Sequence, residues 1–319
     1  MRFRPATVAV LATLLVTALL PPGSTIAYET DQYTDRLEQL EDSTEILDRE
    51  VNEAIEEITE RWRHGDKRGR FAKRIYQELG GRHWVDKLER FAIRSPEVER
   101  IEREKETSIY GGLPFWSTRV VFIVGIGKTI KVNDTLVGTD KLGHFLSQGW
   151  KYHKRHLRGK PEERVVQLGV RNEKGIFGAA STGVFSNADL VANYEGYLFY
   201  RSLFEDDIAN DKPAIIRFEG DRAVVQRPFE WSDHVNEYWD EALNPNHFSP
   251  NLGKHVARNL EQLCTDFERN PTAYIPHTNP TLERRYAHIG LREASDFRLD
   301  AVCESDQVSE VGVGTRTRH

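Results

Sequence analysis

Cysteine is scarce in this chain: Cys264 and Cys303 are the only two among 319 residues. That excludes a disulfide-dense mini-protein, and neither their spacing nor their neighbours make a zinc site. A basic excess is also missing. Lys and Arg number 44 against 50 Asp and Glu, a net charge of −6, and a nucleic-acid binder normally shows the opposite balance. Apolar residues make up 39% and charged residues 29%, which excludes a polytopic membrane protein, a collagen-like fibre and a wholly disordered chain. No internal repeat, Gly-x-Ser-x-Gly elbow or His-Glu-x-x-His zinc motif is present. What remains is a globular composition, long enough for one large core or two smaller ones.

Arg2 and Arg4 precede an apolar run from Ala6 to Leu20, which Pro21, Pro22 and Gly23 break before small residues lead to Ala27. This is the order of a cleaved secretory signal peptide over residues 1–27; a retained N-terminal membrane anchor is the other reading. The run is shorter than the roughly 20 residues a spanning helix needs. Removing Arg2 and Arg4 with that segment takes the 44 basic residues to 42 against 50 acidic ones, a formal charge of −8. The location is then periplasmic or secreted. In an oxidising compartment an even pair of cysteines suggests one disulfide closing a loop of about 40 residues; two buried free thiols are the alternative.

The mature chain reads as mainly α with a minor β component, an α+β fold with a helical core and short β-hairpins. Residues 28–110 form an N-terminal helical region, 111–210 a core, 211–307 a C-terminal hairpin with helices, and 308–319 a flexible tail. Residues 28–42 are acidic and polar, a loosely held lead-in. Val51, Ile55, Ile58 and Trp62 make one apolar stripe of a helix over 44–63. A second helix ends at Gly80-Gly81, and a third carries Trp84, Leu88 and Phe91. Ser95-Pro96-Glu97 has the form of another helix start, with 97–106 as its solvated face. Two short strands are expected within Thr118–Val132, then helices over 142–156, 162–170 and 186–204 with a glycine-rich link at 175–183. A hairpin pairs 215–218 with 223–226 about Gly220-Asp221. Val256, Leu260, Leu263 and Phe267 mark a last amphipathic helix.

Gly125-Ile126-Gly127-Lys128-Thr129 imitates the end of a phosphate-binding loop, but the motif needs Gly where Phe122 stands. No nucleotide is expected as partner, and no nucleic acid.

Two helices carry the polar residues of interest. Asp140, His144, Ser147 and Lys151 fall on one stripe at 100° per residue, so Asp140 can meet His144 directly. A carboxylate there fixes the imidazole's tautomer and raises its basicity; an ordinary helix cap with a charged face explains the same residues. On the second helix Asp189, Asn193, Gly196 and Tyr200 share a stripe within apolar surface, where a buried carboxylate and amide need partners. Ser186-x-x-Asp189 resembles a capping box and accounts for Asp189 but not Asn193. Gly196 leaves room for another backbone. Glu173 sits near a helix end, where the dipole disfavours it unless a cation faces it.

Taken together, Asp140-Lys141-x-x-His144-Phe145, Glu173 and Asp189-Leu190-x-x-Asn193-x-x-Gly196 resemble the VanZ-like group, and more closely its soluble exported relatives in the bacterial envelope. The resemblance covers about residues 135–205. Tyr238-Trp239-Asp240-Glu241 and Asn244-Pro245 have a motif-like look outside it. The VanZ-like proteins are membrane-embedded and associated with glycopeptide resistance. Here Lys151, Lys154, Arg155 and Arg201 put too many charges on the matching helices for lipid-facing spans. The resemblance therefore implies a shared polar cluster on packed helices in a water-soluble setting, not antibiotic resistance.

The expectation is an exported envelope protein in which Asp140, His144, Glu173, Asp189 and Asn193 form a buried polar cluster, either a structural or a binding network. The alternative is a metal-assisted hydrolase of a lipid or cell-wall bond. In it His144 is base or ligand, Asp140 its orienter, Asp189 and Glu173 hold a cation or activate water, and Asn193 positions substrate. A divalent metal is the cofactor left open, and an envelope component or a cell-wall or lipid-derived ligand the partner.

Overall fold

Between Ser43 and Trp62 apolar residues return every three or four positions, and α1 (Thr44–Arg61) forms there, burying Leu47, Val51, Ala54 and Ile55. In the computed structural model, residues 29–81, 85–113, 126–174 and 183–304 are described. The expected leader, Trp84, strand residues 118–125, link residues 175–182 and the tail 308–319 lie outside them. Next comes α2 (Arg68–Ile75), which runs on into a π-turn over Tyr76–Gly80. Then α3 (Lys87–Arg94) opens at Asp86 and ends at Ser95 before Pro96.

The helix expected from Ser95 onward does not form. Ser95 is already extended, and the backbone of Ile101 pairs with Thr129 in a β-bridge instead. Arg100 spends its guanidinium on the carbonyls of Ser95 and Val98. The lead-in is likewise held rather than loose. Thr30, Asp31, Gln32 and Tyr33 are buried, because the Asp31 carboxylate accepts from the backbone N–H groups of Tyr33, Thr34 and Ile109.

Strand β1 (Thr129–Val132) pairs antiparallel with β2 (Thr135–Gly138), Val132 opposite Thr135. Asn133 and Asp134 both take positive φ, 50° and 56°, the two-residue turn that asparagine and aspartate tolerate and that suits strand twist. The hairpin delivers the chain at Thr139 into α4. This helix runs through Asp140–Gly143, a π-turn over His144–Gln148, and Gly149–His156. Then follow α5 (Glu162–Lys174), β3 (Val184–Phe185) and α6 (Asn187–Ser202).

Within α6 every residue except Arg201 is buried, its polar Asn187, Asp189, Asn193 and Glu195 included, so each of these needs a partner. This helix is the axis of the fold, and α4 packs against it backbone to backbone. A Cβ on Gly196 would lie 1.9 Å from the carbonyl oxygen of Phe145, and one on Gly149 would lie 2.5 Å from the carbonyl carbon of Gly196. Across the same contact the Tyr200 hydroxyl donates to the Leu146 carbonyl at 3.1 Å.

The expected later hairpin is present as β4 (Ile216–Glu219) and β5 (Arg222–Val225), turning at Gly220 with φ 62°. Further on, β6 (His247–Phe248) pairs with β3. The last amphipathic helix breaks into α7 (Pro250–Leu260), a 3-10 turn, and α8 (Cys264–Arg269). It is followed by α9 (Pro280–Tyr286). The architecture is mainly α, with three two-stranded antiparallel pairs among the described residues.

Two apolar cores form. One surrounds α6 and joins α1, α2, α4 and β4. The other gathers Tyr33, Tyr110, Phe248, Leu252, Val256, Tyr274 and Leu299, and Cys264–Cys303 closes it with Cα atoms 5.5 Å apart. Both draw on all three stretches of mature chain. No described helix is long and apolar enough to cross a membrane.

Gly196→Ala is expected to lower stability by about 3 kcal/mol or more, since overpacking here meets backbone that cannot relax cheaply; urea unfolding measures it. Reducing the disulfide is expected to cost roughly 4 kcal/mol through the loop released in the unfolded chain, read as a lower urea midpoint with reductant.

Candidate functional site

The first turn of α4 aims Lys141 into the interior, where the whole residue is 1% exposed. Its ammonium lies 2.7 Å from Asp140 Oδ2, 2.7 Å from Asp189 Oδ1 and 2.7 Å from Glu241 Oε1. The ammonium thus lies within ion-pair distance of three carboxylates and donates to Asp140, which is the kind of company a buried lysine requires. The anions come from α4, α6 and the loop before β6. At the start of α6, Ser186 Oγ accepts from the Asp189 N–H at 3.1 Å. Only half of the expected capping box exists, because the Asp189 carboxylate turns to Lys141 and His144.

His144 opens the π-turn. Its Nδ1 is 3.0 Å from Asn193 Oδ1 and its Nε2 is 3.2 Å from Asp189 Oδ2. Asn193 also hydrogen-bonds the Tyr152 hydroxyl, so both ends of its amide are used. The expected Asp140–His144 pair does not form: Asp140 takes Lys141, and Asp189 with Asn193 takes the ring. After His144 the helix widens into the π-turn, whose Gly149 N–H reaches back five residues to the His144 carbonyl, which rotates later residues off the 100° grid. Ser147 accordingly leaves the stripe and donates to Asp86 Oδ2 at 2.6 Å, and Asp86 is the main charge acting on Lys151.

Four of the five expected residues thus converge directly, and Glu173 is buried within Coulombic reach of Asp189. Lys141 and Glu241 complete the cluster without having been singled out as site residues. Both belong to motifs of the sequence, Asp140-Lys141-x-x-His144 and Tyr238-Trp239-Asp240-Glu241. What could have marked the lysine is the run of apolar positions after it, which commits that turn to the interior. One ligand atom each from Asp140, His144 and Asp189 lie within 4.8 Å of one another, so these three could hold a metal ion.

Burial pushes Asp140 up to about 6 although Lys141 pulls it back. Burial likewise pushes Glu241 up to about 7, against the pull of Lys141. Glu173 is raised well above the usual range by burial and then by Asp189. Burial also raises Asp189, but His144 and Lys141 outweigh it and hold that carboxyl below its ordinary value. Desolvation lowers His144. At neutral pH the cluster therefore holds a charged Lys141 against an ionised Asp189 and a largely ionised Asp140, with a neutral imidazole beside them.

A second buried acid is fully committed elsewhere. Glu195 on α6 meets His234 at 3.1 Å, Arg285 at 2.6 Å and the Tyr286 hydroxyl at 2.7 Å, a clip between α6 and α9. An open cleft of about 640 Å³ beside α9 is lined by Glu237, Tyr238, Asn244 and Arg292 and by none of the cluster residues. Another, about 390 Å³, is lined by Arg90, Arg94, Lys128 and Thr139, the last adjoining Asp140. Compared with known proteins, the chain matches no protein-family model, no curated protein and no solved structure.

Next to the cluster, burial raises Asp86 to about 7, against the pull of Ser147 and Lys151. Unfolded, such a carboxyl titrates near pH 3.9. Between those values the folded chain holds a proton that the unfolded chain has lost, so this contribution to stability is lost as pH rises. Urea midpoints of the wild type are expected to fall from about pH 4 to about pH 7 relative to those of Asp86→Asn.

Proposed function

We propose that this is an exported bacterial envelope protein, akin to the soluble relatives of the VanZ-like group. In this reading its Asp140/Lys141/Asp189/Glu241 cluster, with His144 and Asn193, is a network that fixes how three chain segments meet. The observation that carries the reading is the ammonium of Lys141, sealed from solvent with three carboxylates at 2.7 Å. A built-in cation of this kind sets register, since slipping any one segment strands a charge in the interior. The charged, apolar, small-residue order of residues 1–27 supports export, and the bonded cysteines are compatible with it.

One observation favours the second reading, a metal-assisted hydrolase of a lipid or cell-wall bond. The side chains of His144 and Asp189 are each 10% exposed, whereas those of Lys141, Asp140 and Glu241 are 1–2% exposed. The cluster thus has a sealed end and an end nearer to solvent.

Lys141→Met leaves three buried carboxylates without their cation and is expected to cost about 3–5 kcal/mol, measured by urea unfolding at neutral pH. The deciding experiment is complementation of a deletion strain's envelope phenotype by folded His144→Ala and Asp189→Asn chains. Full complementation supports the network, and its loss in both variants supports the hydrolase. Fractionation and mass spectrometry test export: the mature chain is expected outside the cytoplasm, beginning near residue 28.

A further inference from the structure

The two ends of the cluster differ in how far their atoms are satisfied. Lys141 takes Asp140 Oδ2 and Asp189 Oδ1, and so holds each carboxylate by one oxygen. The other Asp189 oxygen, Oδ2, faces His144 Nε2 at 3.2 Å. His144 is 91% buried by its 9% exposure, and its Nε2 has no hydrogen-bond partner among the described residues.

The ring's other nitrogen decides what Nε2 carries. Nδ1 lies 3.0 Å from the Asn193 carbonyl oxygen, and a nitrogen facing a carbonyl oxygen bears the proton. With the Asn193 amide oriented as it stands, a neutral ring protonated on Nδ1 has a bare lone pair on Nε2. That lone pair then points at a carboxylate oxygen, and two acceptors face each other across 3.2 Å. A cation between them resolves the conflict, as does an Asn193 flip that moves the ring proton to Nε2, since the Tyr152 hydroxyl can donate as well as accept.

We propose that His144 Nε2, Asp189 Oδ2 and the Asp140 carboxylate form a binding site for a divalent transition-metal ion. The spacing fits. With metal–nitrogen and metal–oxygen bonds of about 2.0–2.2 Å, two ligands 3.2 Å apart subtend roughly 100° at the ion. Asp140 supplies a third ligand atom within 4.8 Å of the other two, a bound slightly wider than the roughly 4.4 Å that two such bonds can span, so its carboxylate draws in when the ion binds. One imidazole with two carboxylates suits zinc or manganese and is a poor set for calcium or magnesium, which take oxygen alone. The supporting shell is built. Asn193 orients the ring through Nδ1, and Lys141 holds Asp189 through Oδ1, the oxygen that His144 does not face, the kind of support that positions metal ligands elsewhere. Three carboxylates meet one ammonium here, so the cluster has negative charge left for a second cation. This inference goes beyond the network reading and holds for either function.

The test is zinc binding by the purified, untagged full-length mature chain, stripped with chelator and titrated calorimetrically, with metal content by mass spectrometry. The expected result is one zinc per chain with micromolar affinity or tighter. Affinity should fall at least about 100-fold in His144→Ala and Asp189→Asn, and about 10–100-fold in Asn193→Ala. His277→Ala, altering an imidazole that is 88% exposed, should bind as the wild type does. Absence of binding at about 100 µM zinc overturns the proposal, as does retention of wild-type affinity by folded His144→Ala. If that variant fails to fold, the ring 15N resonances of wild-type His144 decide. A zinc-induced shift at Nε2 supports the site, and unchanged resonances overturn it. Lys141→Met stability tests the network separately, so the two ideas fail independently.

Discussion

An ammonium group taken out of water must be given anions in return, and in this fold that demand organises three segments at once. Lys141 enters the interior on the first turn of α4 and meets carboxylates from its own helix, from α6 and from the loop before β6. Each carboxylate is equally dependent on the lysine, because an unpaired buried charge costs several kcal/mol. The interaction is mutual and therefore cooperative: no member of the set can be buried alone. Replacing a buried ionic set by well-packed apolar residues is often neutral or stabilising, but it does not specify which segments meet. That specificity is what a charged centre contributes beyond the surrounding apolar core.

Two further constraints hold the centre in place. The first is the near-contact of α4 and α6 at Gly149 and Gly196, which brings His144 within hydrogen-bond range of Asn193, one turn before Gly196 on the same helix. The second is the π-turn over His144–Gln148. It lets Lys141 and His144 face α6 while Ser147, only a turn later, faces Asp86 on the opposite side. One helix thereby serves two polar clusters, with the aromatic ring of Phe145 packed between Phe199 and Trp231 in the core.

Much of this was legible one residue type at a time. The stripe of α1, the buried length of α6, the hairpin at Gly220-Asp221 and the cysteine pair follow from periodicity, turn chemistry and compartment. Asp140, His144, Asp189 and Asn193 stood out because polar groups on apolar helices need partners. Other features were hidden for identifiable reasons. Ser95-Pro96-Glu97 has the form of a helix start, yet the backbone of Ile101 found a better partner in Thr129, far away in the chain. The lead-in reads as polar and loose, yet Asp31 is polar in order to cap three backbone N–H groups. Asn133-Asp134 is a turn whose value depends on strands on both sides of it.

Local pattern, then, settled which stretches are helical, where chains turn and which side chains demand partners, since those properties depend on neighbours a few residues apart. Which partner each demand would find was decided only in three dimensions. Asp140 had an imidazole four residues away and took the adjacent lysine instead, because the close glycine contact of α4 with α6 brings the ring to Asp189 and Asn193. Glu241, 100 positions after Lys141 in sequence, became its third anion only once the chain had closed around the ammonium.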